Sequence, residues 1–149
     1  MKIAVASDHA GYPLKDLVVD LVGKLGHVVV DLGAHQIDKD DDYPDYARYV
    51  GQAIQHGQAD RGILLCGSGI GAGVAANKLK GVRAGVCHDA YSARQCVEHD
   101  DVNVLCLGAR IVGISLAEDL IRTFLAATYS GGTRHARRLE KINAMEQAG

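Results

Sequence analysis

Residues 64–78, "LLCGSGIGAGVAANK", set a thiol at the mouth of a glycine loop: Cys66 ends an apolar run, and Gly67, Gly69, Gly71 and Gly73 follow at alternate positions. Two chemistries use such a loop. The first is dinucleotide binding, because G-S-G-I-G-A satisfies the loose fingerprint with Ala72 in last place, and Asp89 stands about 20 residues on, where a ribose-binding acid belongs. In a dinucleotide fold, however, the fingerprint follows the first strand, and here that strand ends in "SDHAGYP" with no glycine cluster. The second chemistry is oxyanion stabilisation: unhindered N–H groups at a helix start present partial positive charge to developing negative charge. The same amides favour the thiolate of a cysteine beside them, which suits Cys66 to remove a carbon-bound proton and leave an enediolate. A buried strand cysteine, with glycines that only permit close helix packing, is the structural alternative.

Two further sets of residues carry chemistry. Arg134 and Arg138 are four apart on one helical face, so their guanidiniums can converge on one phosphate; an exposed basic face has the same spacing. His99, at the end of "CVEHD", can pass a proton to or from a ring oxygen or simply cap its helix. Cys87, Cys96 and Cys106 read as small buried apolar residues. No C-x-x-C pair occurs, so neither a zinc knuckle nor a redox dithiol is indicated, and the thiols are expected to be free in a reducing compartment.

These groups need a scaffold to bring them together. Five apolar runs, at 2–7, 27–33, 61–67, 83–89 and 103–108, alternate with helical patterns, and strands that are apolar throughout imply a parallel sheet covered on both faces. The expectation is a doubly wound (Rossmann-like) α/β fold with five parallel strands, one domain over residues 1–149. Ligands bind such folds at the carboxyl ends of the strands. Those ends hold Asp8 and His9, Cys66 to Gly71, His88 and Asp89, and Gly108 to Arg110. The acidic stretch "HQIDKDDDYPDY" reads as an exposed loop, and the tail "GGTRHARRLEKINAMEQ" as a terminal helix suited to reach across to a partner subunit.

Composition narrows the function. A chain of 149 residues fits one domain and leaves no room for a separate substrate domain. A net charge of −2 gives no cationic surface for nucleic acid, and no stretch approaches the roughly 20 apolar residues of a membrane span. The amino terminus lacks a signal-peptide core, so a cytoplasmic protein with a small substrate is expected.

The stretches "SDHAGYPLK" (7–15), "DYPDYA" (42–47), "GILLCGSGIGAGVAANK" (62–78), "GVRAGVCHDAYSAR" (81–94), "NVLCLGARIVG" (103–113) and "GGTRHARRL" (131–139) resemble, in order, the type B ribose-5-phosphate isomerases, grouped with the galactose-6-phosphate and allose-6-phosphate isomerases. The resemblance implies a cofactor-free and metal-free enzyme that interconverts an aldose phosphate and a ketose phosphate, built as a homodimer, or a tetramer of dimers' pairing, with a site shared between subunits. It implies that Cys66 is the base and that Gly67, Ser68, Gly69, Ile70 and Gly71 cradle the enediolate, with Ser68 lending its hydroxyl. It implies that His99, helped by Asp8, opens the furanose ring. His9, Arg110, Arg134 and Arg138 become sugar or phosphate contacts, the last two from the neighbouring tail, while Tyr43 and His135 line the pocket. Three departures stand out: Asp100 where the family has Asn, Ser68 for Thr, and Thr133 as one extra residue in the G-G-R-H stretch. An ionised Asp100 can only accept hydrogen bonds, so it bears on which sugar is taken. A non-catalytic sugar-phosphate or nucleotide-binding module on the same fold is the reading from a different class.

Overall fold

The structure, a computed structural model, describes residues 1–149. In chain order the elements are β1 (Lys2–Ser7), α1 (Tyr12–Lys24), β2 (Val28–Asp31), α2 (Tyr43–Gln55), β3 (Arg61–Cys66), α3 (Ile70–Ala76), β4 (Ala84–Val86), α4 (Ala90–Asp100), β5 (Val104–Gly108), α5 (Ile114–Ala126) and α6 (Thr133–Ala148). All strand pairings are parallel, in the order β2-β1-β3-β5-β4. The doubly wound five-stranded expectation is met. The two runs that come out three or more residues shorter than read, 27–33 and 83–89, are the edge strands β2 and β4, which find ladder partners on one side only.

The strand order places the crevice. From β1 the chain moves outward to β2 and then returns to β3 on the other side of β1, so the connections after β1 and β3 leave in opposite directions. Such a switch point opens a gap between loops at the carboxyl edge of the sheet. It lies between the Asp8–His9 segment and the Cys66–Gly71 loop.

Alternation along the strands divides the core in two. Ile3 and Val5 point to a face covered by α1, α4 and α5, where Leu14, Val18, Val97, Leu120 and Phe124 form a large apolar cluster. Ala4 and Ala6 point to the other face, where α2 and α3 contribute Ala47, Val50, Ala53, Ala72 and Ala76. This second face is built of small side chains. A Cβ added at Gly62 of β3 would run into Val50, so α2 sits directly on the strand backbone. Buried Lys15 on α1 donates to both carboxylate oxygens of Asp31 at the end of β2, at 2.7 and 2.8 Å, which offsets the cost of desolvating the ammonium. The four cysteines are all buried and free, and burial pushes the Cys106 thiol up.

The terminal segment is helical as read, but α6 buries none of its residues. It touches its own chain at α4, where the His135 ring stacks on His99 with centroids 4.0 Å apart, and at the turn before β4, where Gly81 N–H donates to Glu146 at 2.7 Å. Thr133 is the first residue of the helix, so the additional residue of this stretch is taken up at the helix start.

Candidate active site

At the switch point lies a cleft of about 390 Å³ lined by Asp8, His9, Ala10, Tyr43, Cys66, Gly67, Ser68, Gly71, Arg110 and Ile111. Its floor is the junction of β1 and β3. Asp8 is 6% exposed; its Oδ1 accepts the N–H of Gly11 at 2.9 Å, and its own N–H donates to the Leu65 carbonyl at 3.3 Å. Gly11 is required by proximity, because a Cβ there would collide with the Leu65 carbonyl and lie 2.8 Å from the Cys66 nitrogen. The start of α1 is thereby pressed against the strand that carries the thiol.

Cys66 is 4% exposed, and its Sγ accepts the N–H of Gly69 at 3.0 Å. The loop can fold back in this way because Gly69 is left-handed, with φ of 84°, a conformation that costs glycine nothing. Ser68 Oγ accepts the N–H of Ile70 at 3.2 Å and closes the first turn of α3. The loop after β5 holds this one in place: Ala109 N–H donates to the Cys66 carbonyl at 2.8 Å and Arg110 N–H to the Gly67 carbonyl at 3.1 Å. Arg110 carries its guanidinium over Gly67, since a Cβ on that glycine would sit 3.5 Å from Nη1. Tyr43 closes the far wall, its ring so near Gly71 that a Cβ there would be 2.6 Å from Cζ. Thiol, amides, hydroxyl and guanidinium thus share one small cleft.

His9 stands on the opposite wall. Its Nδ1 lies 2.6 Å from Asp41 Oδ1, which also accepts the His9 backbone N–H at 3.0 Å. The hydrogen bond with Asp41 raises the imidazole above its ordinary value, with the charges of Asp41 and Asp8 adding to it, while the small burial and Arg110 oppose the shift. Asp8, His9 and Asp41 are the three groups whose donor atoms come within 4.8 Å of one another. Asp8 Oδ1 accepts from Gly11 and Asp41 Oδ1 is bonded to His9, which ties the three side chains to the main chain on this wall of the cleft.

The structure separates the expected site residues into two groups. Asp8, His9, Tyr43, Cys66, Gly67, Ser68, Gly71 and Arg110 line the cleft; Gly69 and Ile70 form its loop, with the Ile70 side chain 57% exposed. His99, Asp100, Arg134, His135 and Arg138 lie elsewhere, on α4 and α6. The reason is topological. Helix α4 starts at the carboxyl edge of the sheet after β4 and must return the chain to the amino edge where β5 begins, about 16 Å over 11 residues. His99 and Asp100, at its end, are therefore at the opposite edge from Cys66 of the same chain. There Gln95 Nε2 and His99 Nδ1 are 2.9 Å apart, and His135 is lowered by its partial burial and by the nearby charges of His99, Arg134 and Arg138. His88, at the carboxyl end of β4, is structural: its Nε2 accepts the Gly108 N–H at 3.1 Å, and Asp89 caps α4 through Ser92 N–H at 2.7 Å.

Comparison with known proteins decides the family. The Ribose/Galactose Isomerase family model matches residues 3–142. The chain belongs to the ribose/galactose isomerase family. This isomerase is 44% identical over 146 residues to ribose-5-phosphate isomerase B of Escherichia coli, covering 98% of this chain and 97% of that one. It is 39% identical to the D-erythrulose-4-phosphate isomerase of Pectobacterium atrosepticum, over 98% of this chain and 95% of that one. The structure of Clostridium thermocellum ribose-5-phosphate isomerase B superposes with a TM-score of 0.95 at 47% identity, covering 99% of both chains. No helix of this isomerase is long and apolar enough to cross a membrane.

Three residues of the cleft region were not legible as such in the sequence. Ala10 and Ile111 line it through the turns that follow β1 and β5. Asp41 sits beneath His9 with its side chain 8% exposed, although its stretch reads as a solvated acidic loop. Four aspartates within five residues, 38 to 42, conceal the one that is buried, and only its contact across 32 residues sets it apart.

Proposed function

We propose that this isomerase interconverts D-ribose 5-phosphate and D-ribulose 5-phosphate through an enediolate, with Cys66 as general base. The observation that carries this reading is the thiol on the floor of a small cleft, within hydrogen-bond reach of its own loop amide and opposite a histidine and an arginine. The Cys66 thiolate takes the proton from C2 of the open-chain aldose, and the electron pair forms the C1–C2 double bond as the carbonyl oxygen becomes negative. The amides of Gly67 to Gly71 and the Ser68 hydroxyl stabilise that oxygen. Transfer of the O2 hydroxyl proton to O1 and return of the proton from Sγ to C1, with the C1–C2 electron pair taking that proton as the C2 carbonyl forms, give the ketose, so no electrons leave the substrate. The ribose-5-phosphate isomerase B of Escherichia coli supports the pentose, and the Pectobacterium atrosepticum relative a tetrose, while Asp100 in place of Asn calls for six-carbon phosphates beside them in the test.

A single chain does not bring every group to the cleft. Ring opening by His99 with Asp8, and phosphate binding by Arg134 and Arg138, require α4 and α6 to serve the cleft of a second copy. Helix α6, which buries none of its residues fully and sets its basic residues next to His99, supports a homodimer with shared sites, within which His9 and Arg110 supply the cationic groups of the same chain.

Incubation with a panel of tetrose, pentose and hexose phosphates in deuterium oxide tests the reaction. Deuterium should appear at C2 or C1 of the preferred sugar; no incorporation into any member of the panel would leave a binding module instead. Arg138→Ala should raise KM about tenfold, the weight of one charge-assisted hydrogen bond, with kcat little changed. An unchanged KM would make the tail structural only.

A further inference from the structure

We propose that Asp41 is a positioning residue for His9, holding the backbone N–H and ring Nδ1 of that residue so that Nε2 is left as the hydrogen-bond donor to an anionic substrate group in the cleft. The inference rests on reading the cleft as a sugar-phosphate site. A single oxygen, Asp41 Oδ1, takes both bonds, at 3.0 and 2.6 Å, and so fixes the ring relative to its own main chain. The other oxygen, Oδ2, is buried beside the Tyr46 phenol and takes no bond from a charged group, so His9 is the cation that compensates the charge of Asp41. With Nδ1 as the donor to Asp41, a neutral ring would present Nε2 as an acceptor, which repels phosphate; only the imidazolium donates from both nitrogens.

The surroundings favour the imidazolium. His9 faces Asp41 from the loop before α2, Asp8 from the end of β1 and Arg110 from the loop after β5; the two carboxylates raise it and the guanidinium opposes them. Tyr46, on α2 beside Asp41, is pushed up to about 12 by burial and by that carboxylate, so it stays a neutral phenol around neutral pH. A raised imidazole keeps its charge to higher pH than an ordinary histidine, and removing the carboxylate lowers the pH at which the charge is lost.

Nitrogen-15 spectra of the ligand-free protein read the His9 ring directly. Nδ1 should be the protonated nitrogen, with a titration midpoint above that of an ordinary histidine, and Asp41→Asn should lower the midpoint. In the same variant, inorganic phosphate should bind about tenfold more weakly at neutral pH, and the fall in 1/KM with rising pH should begin at lower pH while kcat changes less. A midpoint at or below the ordinary value in the unsubstituted protein overturns the proposal, and so does Asp41→Asn that lowers the melting temperature but leaves midpoint and phosphate affinity in place. If Asp41→Asn fails to fold, the tautomer and midpoint of the unsubstituted protein still decide. A protein inactive on every sugar phosphate would defeat the isomerase reading, whereas the spectra would judge Asp41 separately.

Discussion

Replacing Cys66 by alanine lowers kcat by between about 10² and 10⁴, the usual weight of a positioned general base, while the folded protein continues to bind its sugar phosphate. The expectation follows from the cleft. Cys66 Sγ is the thiol on the cleft floor at the junction of β1 and β3, and the neighbouring Ser68 Oγ already accepts from Ile70 N–H in closing the first turn of α3. Alanine removes the acceptor of Gly69 N–H but leaves Asp8, Ser68 and Arg110 in place, so ligand binding and the denaturation midpoint report whether the site is intact. Steady-state kinetics beside a phosphate-binding titration make the check. A variant that retains a substantial fraction of turnover would remove Cys66 from the role of base.

Gly11→Ala should unfold the protein more easily by about 1–3 kcal/mol and also depress kcat, by an amount that can approach 10²-fold for a displacement of about 1 Å. The added methyl group meets the Leu65 carbonyl and the Cys66 nitrogen, both main-chain atoms of a central strand, so no flexible side chain can move aside. Either α1 lifts, breaking the bond from Gly11 N–H to Asp8, or the end of β3 shifts and carries the thiol with it. Gly23, in the same helix with nothing within 4 Å of its would-be Cβ, provides the contrast: alanine there should be neutral or stabilising by about 0.5–1 kcal/mol. Urea denaturation of the two variants, with kcat for each, separates crowding from helix propensity. Equal stability in the two would mean that α1 is free to yield.

The sequence made the scaffold legible because period and burial agree in it. Runs such as "GILLC" and "NVLCLG" are apolar on both faces, which only a central parallel strand requires, and β3 and β5 appear where those runs lie. The edge strands were overextended in reading because composition does not reveal that a strand lacks a second neighbour. The cleft was legible at Asp8, Cys66 and Arg110, since the ends of parallel strands share one edge by construction. His99 was not separable from them, because a helix carries its last residue to the far edge and a linear pattern does not say which edge that is. Asp41 was hidden for another reason: an acidic run advertises solvation, and burial of one carboxylate depends on a partner 32 residues away.

The unequal faces of the sheet have a consequence for how this chain tolerates change. On the side of α1, α4 and α5, side chains as large as Leu120 and Phe124 leave room for one apolar residue to be exchanged for another of similar volume. On the side of α2 and α3, alanine and glycine bring the helices onto the strands, and almost any replacement there is an enlargement. Cys66 belongs to that tighter side. Mutational drift is therefore channelled away from the thiol by volume alone, before selection on activity has any say.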